Sequence, residues 1–207
     1  MGYSTQLQGK FAHKVGEPVP EFNTDHPAHP AIVHFPIAFN ILAWGLDILY
    51  ALTTTWIQPE FITSRFNSPS TLLDITRFGY FLLCAGLITT VPAIMSGNVQ
   101  LVGMIKKNGG PWEKDASGKP KSTMVPRIKA TITHAIVNDL VFVANIYSWY
   151  LRKDKEGVIN VGKVPTQTNL IISAVLLPFL IIGAKIGGTL TYNHGIGLNL
   201  GRKKIVE

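Results

Sequence analysis

Three stretches without a formally charged residue decide which solvent this chain folds in. They cover residues 26–46, 78–105 and 164–184, which are 21, 28 and 21 residues long. A helix needs about 20 apolar residues to cross the hydrocarbon core of a bilayer. Charged residues make up only 15% of the chain, whereas ordinary soluble domains carry roughly 25%. The sequence therefore predicts membrane-spanning helices and excludes a water-soluble globular protein.

A fourth apolar block, residues 130–151, is interrupted by one acid, Asp139. An intramembrane acid is tolerated where it faces the interior of a helix bundle. The sequence thus predicts an all-α, four-helix transmembrane bundle with both termini on the same side. The expected spans lie near 32–56, 72–96, 129–151 and 168–190. The expected domains are an extended Pro-rich arm (1–30), the transmembrane domain (31–192, with a polar loop at 97–127) and a basic tail (193–207).

Basic residues outside the spans indicate the orientation. The arm, the loop after span two and the tail together hold 11 Lys and Arg residues, and the opposite loops hold five. The positive-inside rule puts the richer side in a bacterial cytoplasm or a mitochondrial matrix. We expect the mitochondrial inner membrane, because a long arm suits an accessory subunit, with a bacterial inner membrane as the alternative. The net charge of +7 follows from this bias, and no pattern indicates a nucleic-acid partner.

Histidines gather on that same side. His34 lies near the start of span one and His134 about 7 Å inside span three, which runs in the same direction. His26 and His29 precede span one, and His194 follows span four. Topology alone therefore brings five of the six histidines into one leaflet.

Span three carries a polar stripe. Asn138 and Asn145 follow His134 by four and eleven residues, so the three side chains lie within about 40° on one helix face. Amides in hydrocarbon need partners, and this face is expected to contact other helices.

Two further polar pairs are expected within the spans. Asn40 and Asp47 are seven residues apart and share a face of span one. Lys185, about 8 Å inside span four, is long enough to reach Asp139 on span three. A Lys185–Asp139 ion pair would account for both charges without any function.

Three motifs resemble one family of small membrane proteins. The first is His-Pro followed by His-Phe-Pro-Ile-Ala at residues 29–38, the second His-Ala with an asparagine at 134–138, and the third Tyr-Asn-His-Gly-Ile-Gly at 192–197. Together they are similar to the signature of the domain of unknown function 2231. The resemblance implies a four-helix membrane unit, often suspected of kinship with membrane b-type cytochromes, whose biochemical role is not established. By this resemblance the family histidines are His29, His34, His134 and His194.

Three functions remain open. The first is an accessory or structural subunit of a respiratory or other energy-converting membrane complex, with the bilayer and larger subunits as partners. The second is an electron-transfer protein with one haem b, held best by His34 and His134. The third is a transporter or quinone-interacting protein. No stand-alone catalytic motif indicates an enzyme.

The histidines also suggest a binding site of their own. His34, His134 and His194, with Asn138, are candidates for a haem site or a polar cluster. A zinc site would draw on His26 and His29 with His34 and His194, although prolines interrupt this segment and no cysteine lies near it.

Overall fold

The computed structural model describes residues 28–154 and 163–194, with side chains up to residue 190. His26, the side chain of His194 and most of the predicted arm and tail therefore lie outside the described residues. The elements in chain order are α1 (Ala28–Ile32), α2 (His34–Thr54), α3 (Glu60–Phe66), α4 (Pro69–Asn108), β1 (Trp112–Lys114), β2 (Pro120–Met124), α5 (Pro126–Arg152) and α6 (Gln167–His194).

Among the described residues, four helical segments are long and apolar enough to cross a membrane. They are His29–Thr54, Pro69–Asn108, Pro126–Arg152 and Gln167–Leu190. The predicted all-α, four-helix transmembrane architecture is therefore confirmed. The sidedness of the termini stays a prediction.

The four spanning helices form a closed ring. Helix α2 packs against α4 and α6, and α5 packs against the same two helices. Helices α2 and α5 therefore face each other across the centre. The apolar part of that centre consists of Ala43, Trp44, Leu83, Val141, Leu176 and Leu180.

Helix α4 is longer than the predicted span 72–96. It begins after Ser68, whose hydroxyl accepts a hydrogen bond from the Thr71 amide. It ends only at Gly109, which adopts a left-handed conformation with φ of 69° that glycine reaches without strain. Residues 97–108, expected in the loop, are helical, and no proline interrupts the chain between Pro92 and Gly109.

The remainder of the predicted loop contains an antiparallel hairpin of β1 and β2. At its turn, the Asp115 carboxylate accepts hydrogen bonds from the amides of Ser117 and Lys119 and from the Ser117 hydroxyl. These bonds hold the pKa of Asp115 below its ordinary value, the Ser117 side chain having the largest effect.

Candidate functional site

A cavity of about 360 Å³ opens between α1, α2, α4, α5 and α6. Its lining combines apolar side chains with neutral polar groups from several helices, and it includes one carboxylate, that of Asp139. The described residues that line it contain neither lysine nor arginine, although the chain has 19 basic residues. The described lining therefore offers neutral hydrogen-bonding groups and no positively charged lysine or arginine. Three predicted histidines meet here: His29, His34 and His134.

Two of these histidines lie at the same depth. The pairs Asn40–Asn145 and Asp47–Arg152 both join α2 to α5 with a separation of 105 residues. His29, in the preceding helix α1, and His134 are also 105 residues apart. We conclude that these two imidazoles enter the cavity at one level, from different sides of the bundle.

The His29 ring is fixed by α4. Its Nδ1 lies 2.9 Å from the Ser96 hydroxyl, and that hydroxyl donates its proton to the Ala93 carbonyl at 2.9 Å. Where the Ser96 hydroxyl donates to Ala93, it accepts from Nδ1–H of His29, and in that tautomer Nε2 carries the lone pair. The ring fits against Gly97, where a Cβ would lie 3.0 Å from its Cε1 atom.

The His134 ring is fixed by α6. A Cβ on Gly187 would lie 3.0 Å from its Cε1 atom. The Asn138 amide donates to the His134 carbonyl at 2.7 Å and lies 3.3 Å from both ring nitrogens. Asn138 also faces Gly183, at 3.6 Å from a Cβ there. A His-x-x-x-Asn pair on α5 thus fits a Gly-x-x-x-Gly pair on α6.

His34 differs from the other two histidines. Its side chain is exposed as well as lining the cavity, and its Nδ1 donates to the Pro30 carbonyl one turn earlier. His34 lies five residues further along the chain than His29, so the partner at the level of His134 is His29. The predicted pairing of His34 with His134 therefore places two histidines at different depths.

Asn145 forms the inner end of the cavity. Its Nδ2 donates to Asn40 Oδ1 at 3.0 Å, and its Oδ1 accepts from the Trp44 indole at 3.1 Å. Asn40 in turn fills the space above Gly86, where a Cβ would lie within 2.4 Å of its amide oxygen. The asparagine stripe on α5 does contact other helices, as its spacing predicts.

A buried ion pair lies beyond this end, away from the histidines. The Arg152 guanidinium contacts the Asp47 carboxylate at 2.7 Å, and it donates to the main-chain carbonyls of Thr76 and Lys163. The Ser173 hydroxyl donates to the second Asp47 oxygen at 2.8 Å.

Sequence reasoning missed Arg152, because it stands at a helix end and was counted among the loop charges. A signal was present: Asn40 and Asp47 are seven residues apart, and so are Asn145 and Arg152. When two parallel helices each carry two polar residues at the same spacing, the residues of one helix can pair with those of the other at two depths.

The predicted ion pair between Lys185 and Asp139 is wrong. Both side chains are exposed, and the described part of the chain contains two ion pairs, Asp47–Arg152 and Lys153–Asp154. Lys185 lies two residues from Gly183 and from Gly187, the two glycines that face α5. Its side chain is therefore rotated about 200° around α6 from each of them. It therefore points away from α5 and from Asp139.

The zinc prediction is not supported in the described residues. Within 28–154 and 163–194, no three His, Cys, Asp or Glu side chains come together in a way that could hold a metal ion. The proposed ligand His26 and the side chain of His194 lie outside the described residues.

Comparison with known proteins gives one family. The family model described as a predicted membrane protein, DUF2231, matches residues 25–199. No curated protein and no solved structure matches the chain.

Proposed function

Because the chain belongs to the DUF2231 family of predicted membrane proteins, which is defined without an activity, we propose a function from the cavity: a membrane protein that holds a single b-type haem between His29 and His134. The observation that carries the proposal is that both imidazoles line one cavity, where His29 packs against Gly97 of α4 and His134 packs against Gly187 of α6. Axial histidines on different helices are the usual arrangement in haem-binding bundles.

The hydrogen bonds of the rings support the ligand role. A metal-binding histidine usually donates one ring N–H to a protein acceptor, which leaves the other nitrogen for the metal. With Nδ1 protonated, His29 would do this through the Ser96 hydroxyl, and His134 is held by its fit against Gly187. Such anchoring also fixes the orientation of each ring before any ligand enters.

The donor set fits a haem better than a protein-bound metal ion. A zinc site needs three or four protein ligands, and the described residues bring no three candidates together. Two histidines suffice where a macrocycle supplies the remaining ligands. A bound haem would supply one-electron redox chemistry, while His29 and His134 would hold it and the apolar part of the lining would exclude water.

Absorption spectroscopy tests this proposal directly. Protein purified in mild detergent after expression with added haem precursor should show a b-type band that shifts on dithionite reduction. His29→Ala and His134→Ala should each abolish the band, and His34→Ala, the matched cavity control, should retain it. A folded, colourless wild-type protein would overturn the proposal. A band that survives in His29→Ala and disappears in His34→Ala would overturn the pairing.

We also propose the predicted accessory role, because of Lys185. This lysine is exposed on α6, five residues or about 8 Å inside the end of the spanning segment Gln167–Leu190. Charged side chains at such depth rarely face lipid, and they commonly face protein or a water-filled cavity. A membrane partner with an acceptor group would satisfy Lys185. A respiratory complex and the mitochondrial inner membrane remain the preferred setting for such a partner.

Affinity purification in mild detergent with mass spectrometry tests the accessory role. The wild type should retain a partner in stoichiometric amount, and Lys185→Leu should lose it. Lys129→Gln is the matched control, because Lys129 is exposed near the first turn of α5, and it should retain the partner. A wild-type chain that migrates alone would contradict this role. A transporter or quinone-interacting role has weaker support, because Asp139 is the one acid among the described residues that line the cavity.

A further inference from the structure

A layer of basic side chains surrounds the point where α4 and α5 leave the membrane. The charge-free part of α4 ends at Ile105, and the charge-free start of α5 begins at Ala130. The segment between them exposes Lys106, Lys107, Lys114, Lys119, Lys121, Arg127 and Lys129. It contains only two acids, Glu113 and Asp115.

Neither acid neutralises a lysine side chain. Glu113 accepts a hydrogen bond from the Thr123 hydroxyl at 2.7 Å. Asp115 accepts from the turn amides and from the Ser117 hydroxyl. The ion pairs formed by the described residues include none from this segment. Its positive charge is therefore uncompensated within the part of the chain that the structure describes.

Lys114 differs from the other basic residues of the segment. Its Nζ lies so close to Gly109 that a Cβ there would be 2.7 Å away. This position is at the C-terminus of α4, where the helix dipole favours a cation. Lys114 thus stabilises the C-terminus of α4. The other six form the group that we call the basic rim: Lys106, Lys107, Lys119, Lys121, Arg127 and Lys129.

The register of the helices places Lys106, Arg127 and Lys129 of the rim at one depth. His29 lies beside Gly97 on α4 and at the level of His134 on α5. Counted outward from these positions, Lys106 is nine residues further along α4, and Arg127 and Lys129 are seven and five residues back along α5. They fall in a layer about 6 Å thick, immediately outside the charge-free helices, which is where lipid headgroups lie. Trp112, 42% exposed, belongs to a residue type that prefers this interface.

We propose that the basic rim binds anionic phospholipid headgroups of the leaflet that contains the cavity. The occupant is lipid because the cations lie at headgroup depth and lack compensating acids. Each lysine or arginine near an anionic surface contributes enough to change lipid affinity roughly five-fold. The hairpin would then rest on the membrane surface, which would stabilise a two-stranded structure that is marginal by itself. This proposal is independent of the haem proposal.

The test uses the full chain in nanodiscs of phosphatidylcholine, with or without phosphatidylglycerol. Amide hydrogen exchange over residues 106–129 should slow in the anionic nanodiscs, and native mass spectrometry should show phosphatidylglycerol retained in preference to phosphatidylcholine. Lys106→Gln/Arg127→Gln should weaken this retention by more than ten-fold, by roughly five-fold for each residue.

The control variant, Arg65→Gln/Arg77→Gln, removes the same charge near the opposite end of the bundle and should leave retention unchanged. Equal exchange in both lipids would overturn the proposal, as would an equal loss of lipid in the control variant. Protection that persists in pure phosphatidylcholine and depends on a co-purifying acidic protein would overturn it in favour of a protein partner.

Discussion

The guanidinium of Arg152 and the carboxylate of Asp47 lie 2.7 Å apart although 105 residues separate them. Their side chains are only 1% and 5% exposed. The pair joins α5 to α2 across the centre of the ring, and its further hydrogen bonds reach Thr76 on α4 and Ser173 on α6. One ion pair therefore ties all four spanning helices together.

Asp47→Ala should destabilise the bundle strongly, because it leaves the Arg152 guanidinium buried without a counter-ion. Removal of one partner from a buried pair costs about 3–5 kcal/mol. The free energy of unfolding in detergent measures the change. Asp74→Ala removes an exposed acid of α4 and should change it by less than about 0.5 kcal/mol. If the two variants lose the same stability, the ion pair does not hold the helices together.

Gly86→Ala should also destabilise the protein, because the new Cβ would lie 2.4 Å from Asn40 Oδ1. Asn40 would have to move and would lose its bond from Asn145, and overpacking of this kind costs roughly 1–3 kcal/mol. Gly103 on the same helix has open space around it. Gly103→Ala should be neutral or stabilising by up to about 1 kcal/mol. Thermal unfolding of both variants measures the difference, and equal melting temperatures would contradict the close packing at Gly86.

The sequence predicts the helices well for a simple physical reason. Charge is costly in hydrocarbon, so the 28-residue interval 78–105 requires a spanning helix whatever its neighbours are. The same reasoning does not show which charged residue is inside. Hydropathy treats Arg152 as a boundary residue, whereas the fold draws it inward to Asp47. Its partner depends on helix order and rotation, which length and composition do not determine.

The histidine cavity was partly predictable. Parallel spans place His34 and His134 on one side, and the structure does bring both to one cavity. The level-matched partner, His29, was assigned to the arm because α1 was not foreseen. The predicted Asp139–Lys185 pair was wrong because the prediction compared only the positions of the two residues along the helix axes. It did not consider the direction in which each side chain points around its own helix.

The membrane sidedness predicts a labelling pattern. In a Cys84→Ser background, a cysteine at Ser117 in the hairpin and one at Ser64 in α3, both exposed positions, should react with an impermeant maleimide from opposite sides of sealed vesicles. The positive-inside count places the hairpin on the cytoplasmic or matrix side. Labelling of both positions from the same side would contradict the four-span topology.

The hairpin turn should depend on pH through Asp115. Its hydrogen bonds hold the pKa of Asp115 below the ordinary value, with Ser117 the largest cause. The contribution to turn stability is therefore complete above the ordinary aspartate pKa of about 3.9 and is lost as the pH falls through the lower folded-state pKa. Amide hydrogen exchange at Ser117 and Lys119, corrected for intrinsic rates, should show the turn opening in this acidic range. Asp115→Asn should remove the pH dependence, and an unchanged profile in that variant would assign the effect to another group.

Because His134 fits against Gly187, the side-chain volumes at these two positions constrain each other. With a Cβ at 187 only 3.0 Å from the imidazole, an added methyl group on α6 must be matched by lost volume on α5. Gly187→Ala should therefore be rescued by His134→Ala, as a second-site suppressor, to a greater extent than by His34→Ala. A Gly-x-x-x-Gly pattern often indicates contact between two membrane chains. In this protein the groove is filled by His134 and Asn138 of the same chain. Among related sequences, substitutions at position 187 should therefore accompany substitutions at position 134.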